Sequence, residues 1–306
     1  MLILNDQDIA QKLSWGPVLE AIEAGFKKEK SFQAPERLVI KAPQGGSFLT
    51  MPCVDEVGWY GVKKISVLTD NPIKHQKPTV QAWYTLIDPT GSPVLACDAT
   101  LLTRMRTAAT SAVAAKYLAK SDAKKLLIIG SGSLAPWMAR AHAQVRTYEQ
   151  ITLWARQTSK AEAIAQELGD EFKNITFQVA TDLAKACAEA DVISAATTSR
   201  EPIIQASYLH AGQHIDLVGA FLAEMRECDS DTVKLASVYV DNIHAAKVEA
   251  GDLIQASQDG WSFSQVKGEL IGVVNGKKYE GNRGISLFKS VGHALEDLVV
   301  AKLLLV

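Results

Sequence analysis

The sequence has few cysteines, almost no net charge and no long apolar run. Its four cysteines are scattered without a Cys-x-x-Cys pair, which is typical of a reduced, cytoplasmic protein rather than a disulfide framework. A net charge of −2 offers no basic surface to nucleic acid or an anionic membrane. The acidic first turns predict no secretion signal, and the six histidines, which lack ligand spacing, predict no metal site. No apolar run approaches the roughly 20 residues of a membrane span.

The first third of the chain has three sequence patterns in succession, which predict a mixture of helices and strands. Residues 5–30 carry apolar side chains at helical spacing. Residues 37–100 form short segments rich in β-branched and aromatic residues, separated by turn-forming residues, which predict antiparallel strands. An alanine-rich helix is expected over 103–120.

From residue 125 onward, apolar strands alternate with helices, which predicts a parallel sheet covered on both faces. The fold class is therefore α/β, with a Rossmann-type doubly wound parallel sheet over residues 123–287. We expect residues 1–122 to form a discontinuous α+β domain for substrate binding and dimerisation. One long helix over 288–306 is expected to complete that first domain.

A glycine-rich turn follows the first of these strands, in LLIIGSGSLA (126–135). Gly130 permits a tight turn, and Gly132 lets the backbone approach a pyrophosphate at a helix N-terminus. Ala135 fills the third small position of the Gly-x-Gly-x-x-Gly/Ala pattern, and Ser133 stands beside it. The pattern favours a dinucleotide site over an ordinary turn, because it joins an apolar strand to a helix.

The second strand ends without the acidic residue that would bind the ribose hydroxyls of NAD. Arg156, Thr158 and Ser159 stand there instead, and they favour the 2′-phosphate of NADPH, with NADH use left open. A solvated basic helix start is the alternative. Thr197 and Thr198 follow another parallel strand, at the edge where ligands bind in open α/β sheets, and are expected to contact the cofactor.

Several stretches together resemble the ornithine cyclodeaminase/μ-crystallin family over essentially the whole chain. They are APERLVI (34–40), SFLTMP (47–52), GVKKISV (61–67), the segment 77–119, LLIIGSGSLA (126–135), AGQHIDLVGA (211–220), AGDL (250–253) and GNRGISLFKSVGHALEDL (281–298). The resemblance implies a nucleotide domain, a sheet domain that forms a homodimer, and nicotinamide-dependent chemistry on an α-amino or α-imino acid.

The resemblance also implies that Arg37, Lys63 and Arg106 hold the substrate carboxylate. A guanidinium fork fits a planar carboxylate, and Arg106 is expected to open a helix whose N–H groups add to the anion site. Lys63 is also the leading candidate for the catalytic proton donor, with protonation of the imine by solvent as the alternative. The family segment that approaches the nicotinamide matches Lys289, Ser290 and Gly292, with a packed helix start as the alternative.

One departure from the family concerns the strand HIDLVGA. Deaminating members continue with a Gly-Asp pair whose Asp assists water addition, but this chain has Ala220 and Phe221. Phe221 transfers no proton and is expected to form an apolar wall beside the substrate. The pattern GAF-x-x-E-M-R-E (219–227) also resembles the Δ1-pyrroline-2-carboxylate reductase branch, which acts in hydroxyproline degradation.

The prediction is therefore an oxidoreductase that reduces a small cyclic imino acid. Δ1-Pyrroline-2-carboxylate would give L-proline, and Δ1-piperideine-2-carboxylate would give L-pipecolate as a second reaction. Two alternatives stay open: a cyclodeaminase, alanine dehydrogenase or opine-type enzyme of the same family, and a crystallin-like protein that binds NADPH without turnover.

Overall fold

The computed structural model describes residues 1–43, 45–68, 70–276 and 284–306. The chain divides into two compact units, one of residues 1–107 with 293–306 and the other of residues 108–292. Across the described ranges, no helix is both long enough and apolar enough to cross a membrane.

The first unit is built on a sheet of six strands among the described residues. The strands are β1 (Leu2–Leu4), β2 (Leu38–Lys41), β3 (Ser47–Val54), β4 (Tyr60–Val67), β5 (Val80–Ile87) and β6 (Pro93–Asp98). They lie in the order β1-β6-β5-β4-β3-β2, with a parallel β1–β6 pair and antiparallel neighbours elsewhere. Strands β2 to β6 confirm the prediction for residues 37–100, whereas the three-residue β1 is too short to show a pattern.

The first unit also contains helices before, between and after these strands in the chain. They are α1 (Asp6–Lys12), α2 (Trp15–Lys27), the short α3 (Asn71–Lys74), the first part of α4 (Thr100–Leu118) and α12 (Ala294–Lys302). Helix α12 packs on β3, β4 and α2. The helical spacing over residues 5–30 is confirmed as two helices: Leu13 is extended between α1 and α2, and Pro17 suits the first turn of the second helix.

The two faces of the sheet differ, because side chains alternate along each strand. Met51, Lys63 and Tyr84 form a cross-strand row that is buried. On the opposite face, large apolar side chains stay exposed in this chain. They are Leu38, Ile40, Phe48 and Trp83, named here the apolar outer face.

The second unit is built on a sheet of eight parallel strands in the described part of the chain. The strands are β7 (Lys125–Ile129), β8 (Gln150–Trp154), β9 (Thr176–Val179), β10 (Val192–Ala195), β11 (His214–Leu217), β12 (Ala236–Val240), β13 (Gly268–Glu269) and β14 (Ile285–Lys289). The helices are α5 (Ala135–Val145), α6 (Thr158–Glu171), α7 (Leu183–Glu189), α8 (Ser230–Leu235), α9 (Ile243–Glu249), α10 (Gly251–Gln258) and α11 (Leu270–Asn275). This doubly wound sheet confirms the predicted fold class.

The order of this sheet is β13-β12-β14-β11-β10-β7-β8-β9. From β7 the chain moves outward through β8 and β9, and then returns to the other side of β7 to form β10. The carboxyl ends of β7 and β10 therefore meet at a topological switch point, which is where open α/β sheets bind ligands.

The single helix expected over residues 288–306 is wrong. Phe288 and Lys289 end strand β14, which lies between β11 and β12, and the helix begins only at Ala294. A short apolar run suits a buried strand as well as a buried helix, so periodicity alone does not separate them. Gly292, with a φ of 89°, turns the chain, and His293 caps α12 through a capping box with Glu296.

Candidate active site

A cleft of about 470 Å³ opens in the second unit at the switch point between β7 and β10. Gly130 and Gly132 line it from the turn after β7, together with Ser131. Thr197 and Thr198 line it from the loop after β10, as the sequence suggested. Ser133 follows Gly132 directly, and Ala135 is the first residue of α5.

The two glycines meet different surroundings, and both suit a dinucleotide. Gly130 has a φ of 123°, and an added Cβ would lie 2.8 Å from the carbonyl oxygen of Ala196. A side chain there is excluded by both conformation and space. A Cβ on Gly132 would meet no protein atom within 4 Å, so the backbone at this position is open to a close ligand such as a pyrophosphate.

Basic and amide side chains line the cleft beyond the end of β8. Arg156, Gln157 and Lys160 contribute to this lining. Thr158 and Ser159 begin helix α6 and are exposed, but they are not among the residues of the cleft wall. Lys160 and Gln157 therefore join Arg156 as the groups able to meet a ribose or its phosphate.

Lys289, Ser290 and Gly292 are engaged with buried carboxylates instead of lining this cleft. The Nζ of Lys289 lies 3.0 Å from an Asp252 carboxylate oxygen. Ser290 Oγ donates to Asp241 at 2.9 Å, and the Gly292 N–H donates to the same oxygen at 2.7 Å. These bonds fix the loop that follows β14, and a nicotinamide contact for this loop stays a prediction.

The substrate anchors expected from the sequence meet a pair of acids in the first unit, a group we call the anchor cluster: Lys63, Arg106, Glu296 and Asp297. Lys63 Nζ donates to Asp297 Oδ1 at 2.9 Å. Arg106 donates through Nε to Asp297 Oδ1 at 3.2 Å and through a terminal nitrogen to Glu296 Oε2 at 2.6 Å. All four side chains are buried, so each charge depends on its partners for the solvation it has lost.

Three elements bring the anchor cluster together. Lys63 lies on the buried face of β4, whereas its neighbour Lys64 is exposed on the opposite face. Arg106 lies in the second turn of α4, which begins at Thr100, so the expectation that Arg106 opens the helix is wrong. The N–H groups of the first turn are therefore not beside its guanidinium. Helix α12 contributes both acids.

The electrostatics of the cluster make Lys63 an unusual lysine. Burial lowers its pKa to about 8, and the Arg106 charge acts in the same direction. Asp297 opposes both effects by stabilising the ammonium, while Arg37, half-buried just before β2, lowers the pKa further. The charges of Arg37 and Arg106 therefore both act on Lys63.

Phe221, the expected apolar wall, belongs to the second unit and follows β11. It is half-buried, and its N–H donates to the carbonyl of Gly219 at 3.2 Å. The next acidic residue, Glu224, is exposed and lies 3.9 Å from Arg200, so it is a surface group. No carboxylate stands at the position where deaminating family members carry one.

Glu296 and Asp297 were missed by the sequence reasoning. A signal was available in HALEDLVVA, because two adjacent acids interrupt a helix that is otherwise apolar. Buried acids in such a helix need cationic partners, and the partners lie far away along the chain.

Comparisons with known proteins place the whole chain in one family. The model of the ornithine cyclodeaminase/mu-crystallin family matches residues 1–305. A Delta(1)-pyrroline-2-carboxylate reductase of Colwellia psychrerythraea is 31% identical over 98% of this chain and 97% of its own. The structure of Thermococcus litoralis Delta(1)-pyrroline-2-carboxylate reductase with NADH and L-proline has a TM-score of 0.93 and 34% identity, over 99% of this chain and 96% of that one. An archaeal alanine dehydrogenase dimer with bound NAD has a TM-score of 0.92 and 28% identity, over 99% and 94%. The chain belongs to the ornithine cyclodeaminase/mu-crystallin family.

Proposed function

We propose that this protein reduces Δ1-pyrroline-2-carboxylate to L-proline with a nicotinamide cofactor, and Δ1-piperideine-2-carboxylate to L-pipecolate as a second reaction. The observation that carries the proposal is the anchor cluster, which combines a guanidinium for a carboxylate with a lysine suited to proton donation. Relatives named as reductases of this imine, and a neighbour that binds NADH and L-proline, support the same reaction.

Substrate binding is assigned to Arg37, Lys63 and Arg106. A guanidinium has five N–H donors, so Arg106 can bind a substrate carboxylate while it keeps its bonds to Glu296 and Asp297. Those two acids fix the plane of the guanidinium, and a fixed fork orients a planar imino acid. Orientation is the larger part of the catalysis expected from these residues.

Proton transfer is assigned to Lys63. Reduction of a C=N bond needs a hydride on carbon and a proton on nitrogen, and a bound nicotinamide would supply the hydride. An amine with a pKa of about 8 is mostly protonated at neutral pH, yet gives up its proton far more readily than an ordinary lysine. Asp297, which accepts a hydrogen bond from Nζ, holds that nitrogen in one place.

Phe221 is proposed as the reason for reduction without deamination. Addition of water to an imine and loss of ammonia need a group that takes and returns protons. Phenylalanine has no such group, whereas reduction of a preformed ring imine needs none at this position.

The cofactor assignment is a nicotinamide dinucleotide with a preference for NADPH. Gly130 and Gly132 fit a pyrophosphate, and Thr197 and Thr198 line the same cleft. None of the described residues that line the cleft is acidic, and Arg156 and Lys160 are basic. A 2′-phosphate matches these charges better than a bare ribose diol does. Thr158, Ser159, Lys289, Ser290 and Gly292 remain candidate contacts.

Changing Arg156 tests the cofactor preference. Arg156→Asp should reduce the ratio of kcat/KM for NADPH to kcat/KM for NADH about tenfold, because a carboxylate repels the 2′-phosphate and accepts bonds from ribose hydroxyls. Lys173→Asp serves as the control, because it makes the same charge change at an exposed residue just after the end of α6. An unchanged ratio in Arg156→Asp would show that this residue does not discriminate between a 2′-phosphate and a 2′-hydroxyl group.

A homodimer through the first domain is also proposed, with the apolar outer face as the contact surface. Leu38 and Ile40 expose 59% and 54% of their surface, and Phe48 and Trp83 each expose 41%. Leu38, Ile40 and Phe48 are neighbours on β2 and β3, and Trp83 lies on the same face of β5. Large apolar side chains exposed together on one sheet face are typical of a protein interface. Light scattering should give the dimer mass for the wild type and Val57→Glu, and a monomer for Ile40→Glu. A monomeric wild type at micromolar concentration contradicts the proposal.

One assay series tests the function itself. NADPH oxidation is followed with Δ1-pyrroline-2-carboxylate, Δ1-piperideine-2-carboxylate, and pyruvate with ammonium or amines, while ammonia release is followed with ornithine. We expect turnover with the two ring imines and no ammonia from ornithine. Robust ammonia release would identify a cyclodeaminase, turnover restricted to pyruvate would identify an alanine dehydrogenase or opine-type enzyme, and cofactor binding without any turnover would identify a binding protein.

A further inference from the structure

A buried carboxylate joins two loops of the second unit. Glu227 lies in the segment between β11 and α8 and is fully buried. Its Oε1 accepts the N–H of Thr197 at 2.6 Å, and its Oε2 accepts the N–H of Gly219 at 2.7 Å. Thr197 follows β10 and Gly219 follows β11, so one side chain ties the carboxyl ends of two neighbouring strands.

The loops after β10 and β11 are packed so closely that a small displacement of either loop would change the shape of the cofactor cleft. A Cβ on Gly219 would collide with the backbone of Thr197. On the other side of the same loop, a Cβ on Gly130 would lie 2.8 Å from Ala196 O and 3.3 Å from Thr197 Cγ2. Glu227 therefore contacts Thr197, and the segment of Ala196 and Thr197 in turn contacts the glycine turn at Gly130.

We propose that Glu227 is a positioning residue for the nicotinamide cofactor, because its carboxylate holds the loops after β10 and β11 in the arrangement that shapes the cleft. Glu227 does not line the cleft and acts through Thr197 and Gly219. The inference rests on the proposed function only in taking the cleft to bind a nicotinamide dinucleotide. Nothing in the sequence patterns used for the cofactor site points to this residue.

Charged groups on the packed elements hold Glu227 in place. Asp252, on α10, accepts the Glu227 N–H at 2.6 Å and the Cys228 N–H at 3.1 Å. The same Asp252 pairs with Lys289 of β14 at 3.0 Å. Burial raises the pKa of Glu227 to about 7; the Lys289 charge lowers it and the Asp252 charge raises it. Burial also keeps the neighbouring Cys228 thiol protonated, with its pKa well above 9.

The ionisation of Glu227 then controls the two N–H bonds. A carboxylate accepts from both Thr197 and Gly219, whereas a protonated carboxyl has one oxygen that is a donor. Above a pH of about 7 the carboxylate holds both loops, and below it one of the two N–H groups faces a hydroxyl oxygen, which is a much weaker acceptor. Cofactor affinity should therefore fall as the pH is lowered through this value.

Binding of NADH in the absence of any imino acid tests the inference. NADH is chosen because it lacks the 2′-phosphate of NADPH, which itself titrates near pH 6. Its dissociation constant is measured by nicotinamide fluorescence between about pH 6 and pH 8 for the wild type, Glu227→Gln and Glu224→Gln. Glu224 is the matched control, three residues earlier and exposed.

We expect the wild-type dissociation constant to rise below about pH 7. Glu227→Gln should bind NADH at least about tenfold more weakly at pH 8, with no pH dependence, because its amide donates where Glu227 accepts. Glu224→Gln should match the wild type throughout. A folded Glu227→Gln protein with the wild-type affinity and pH profile overturns the inference.

If Glu227→Gln does not fold, Glu227→Asp decides, because its carboxylate is one methylene group shorter and cannot accept both the Thr197 and the Gly219 N–H. Wild-type NADH affinity in a folded Glu227→Asp protein refutes the positioning role. These outcomes are independent of the substrate. A protein that binds NADH as expected but reduces no ring imine refutes the proposed reaction and leaves the role of Glu227 standing.

Discussion

Replacing Lys63 by methionine should lower kcat for ring-imine reduction by about 10² to 10⁴-fold, the range that general acid catalysis contributes. Methionine fills the buried space of the lysine stem without a proton to donate. In the wild type, kcat/KM should fall as the pH rises through about 8, because the ammonium form of Lys63 disappears there. A lysine with the ordinary pKa would keep its proton to much higher pH.

Two further variants separate proton donation from other roles of Lys63. Asp297→Asn removes the charge that stabilises the ammonium, so the alkaline fall in kcat/KM should move to lower pH. Lys64→Met changes the adjacent but exposed lysine and should retain wild-type kinetics. A Lys63→Met enzyme that loses affinity for the imino acid but keeps kcat would leave Lys63 as an anchor and assign the proton to solvent.

Arg106→Ala should reduce kcat/KM for the imino acid about 10- to 150-fold while NADPH affinity stays unchanged, because a hydrogen bond to a charged group is worth about 1.5–3 kcal/mol. The same change leaves Glu296 and Asp297 with fewer partners in a buried site. Breaking a buried ion pair costs about 3–5 kcal/mol, so the midpoint of thermal unfolding should also fall.

Arg106→Lys separates binding from stability. Lysine keeps the charge near Glu296 and Asp297 but lacks the planar fork, so most stability should return while kcat/KM stays low. Arg104→Ala, two residues earlier on α4, is the control and should leave imino-acid kinetics unchanged. A loss of less than threefold in a folded Arg106→Ala protein would remove Arg106 from the substrate site.

The parts of the fold that sequence predicts are those with a local pattern. Strands β3 and β5 carry alternating or β-branched residues between turn signals, and β7 is a continuous apolar run before glycine. The local pattern of residues 285–289 does not predict that they form strand β14. Their strand character comes from hydrogen bonds to β11 and β12, which are distant in sequence, and not from their own pattern.

The candidate site divides in the same way. Gly130 and Gly132 are predictable because a turn that admits a pyrophosphate needs particular backbone conformations at fixed spacing. Lys63 and Arg106 are found only through the resemblance to the family, since a single basic residue forms no motif that would distinguish it from other basic residues. Asp297 and Glu227 lie within stretches that carry the resemblance, but their roles were not predicted. Each role depends on which distant N–H or ammonium groups the fold places beside the carboxylate.

The dependence of Lys63 on Asp297 has a consequence for biosynthesis. The two residues are separated by 234 positions, and a ribosome needs roughly 10 to 50 seconds to add that many residues. Until α12 emerges, Lys63 and Arg106 lack the acids that make their burial tolerable. The first unit therefore cannot close around its charges while it is being made, and the nascent chain must keep that segment open, exposed to chaperones and proteases, until synthesis reaches α12.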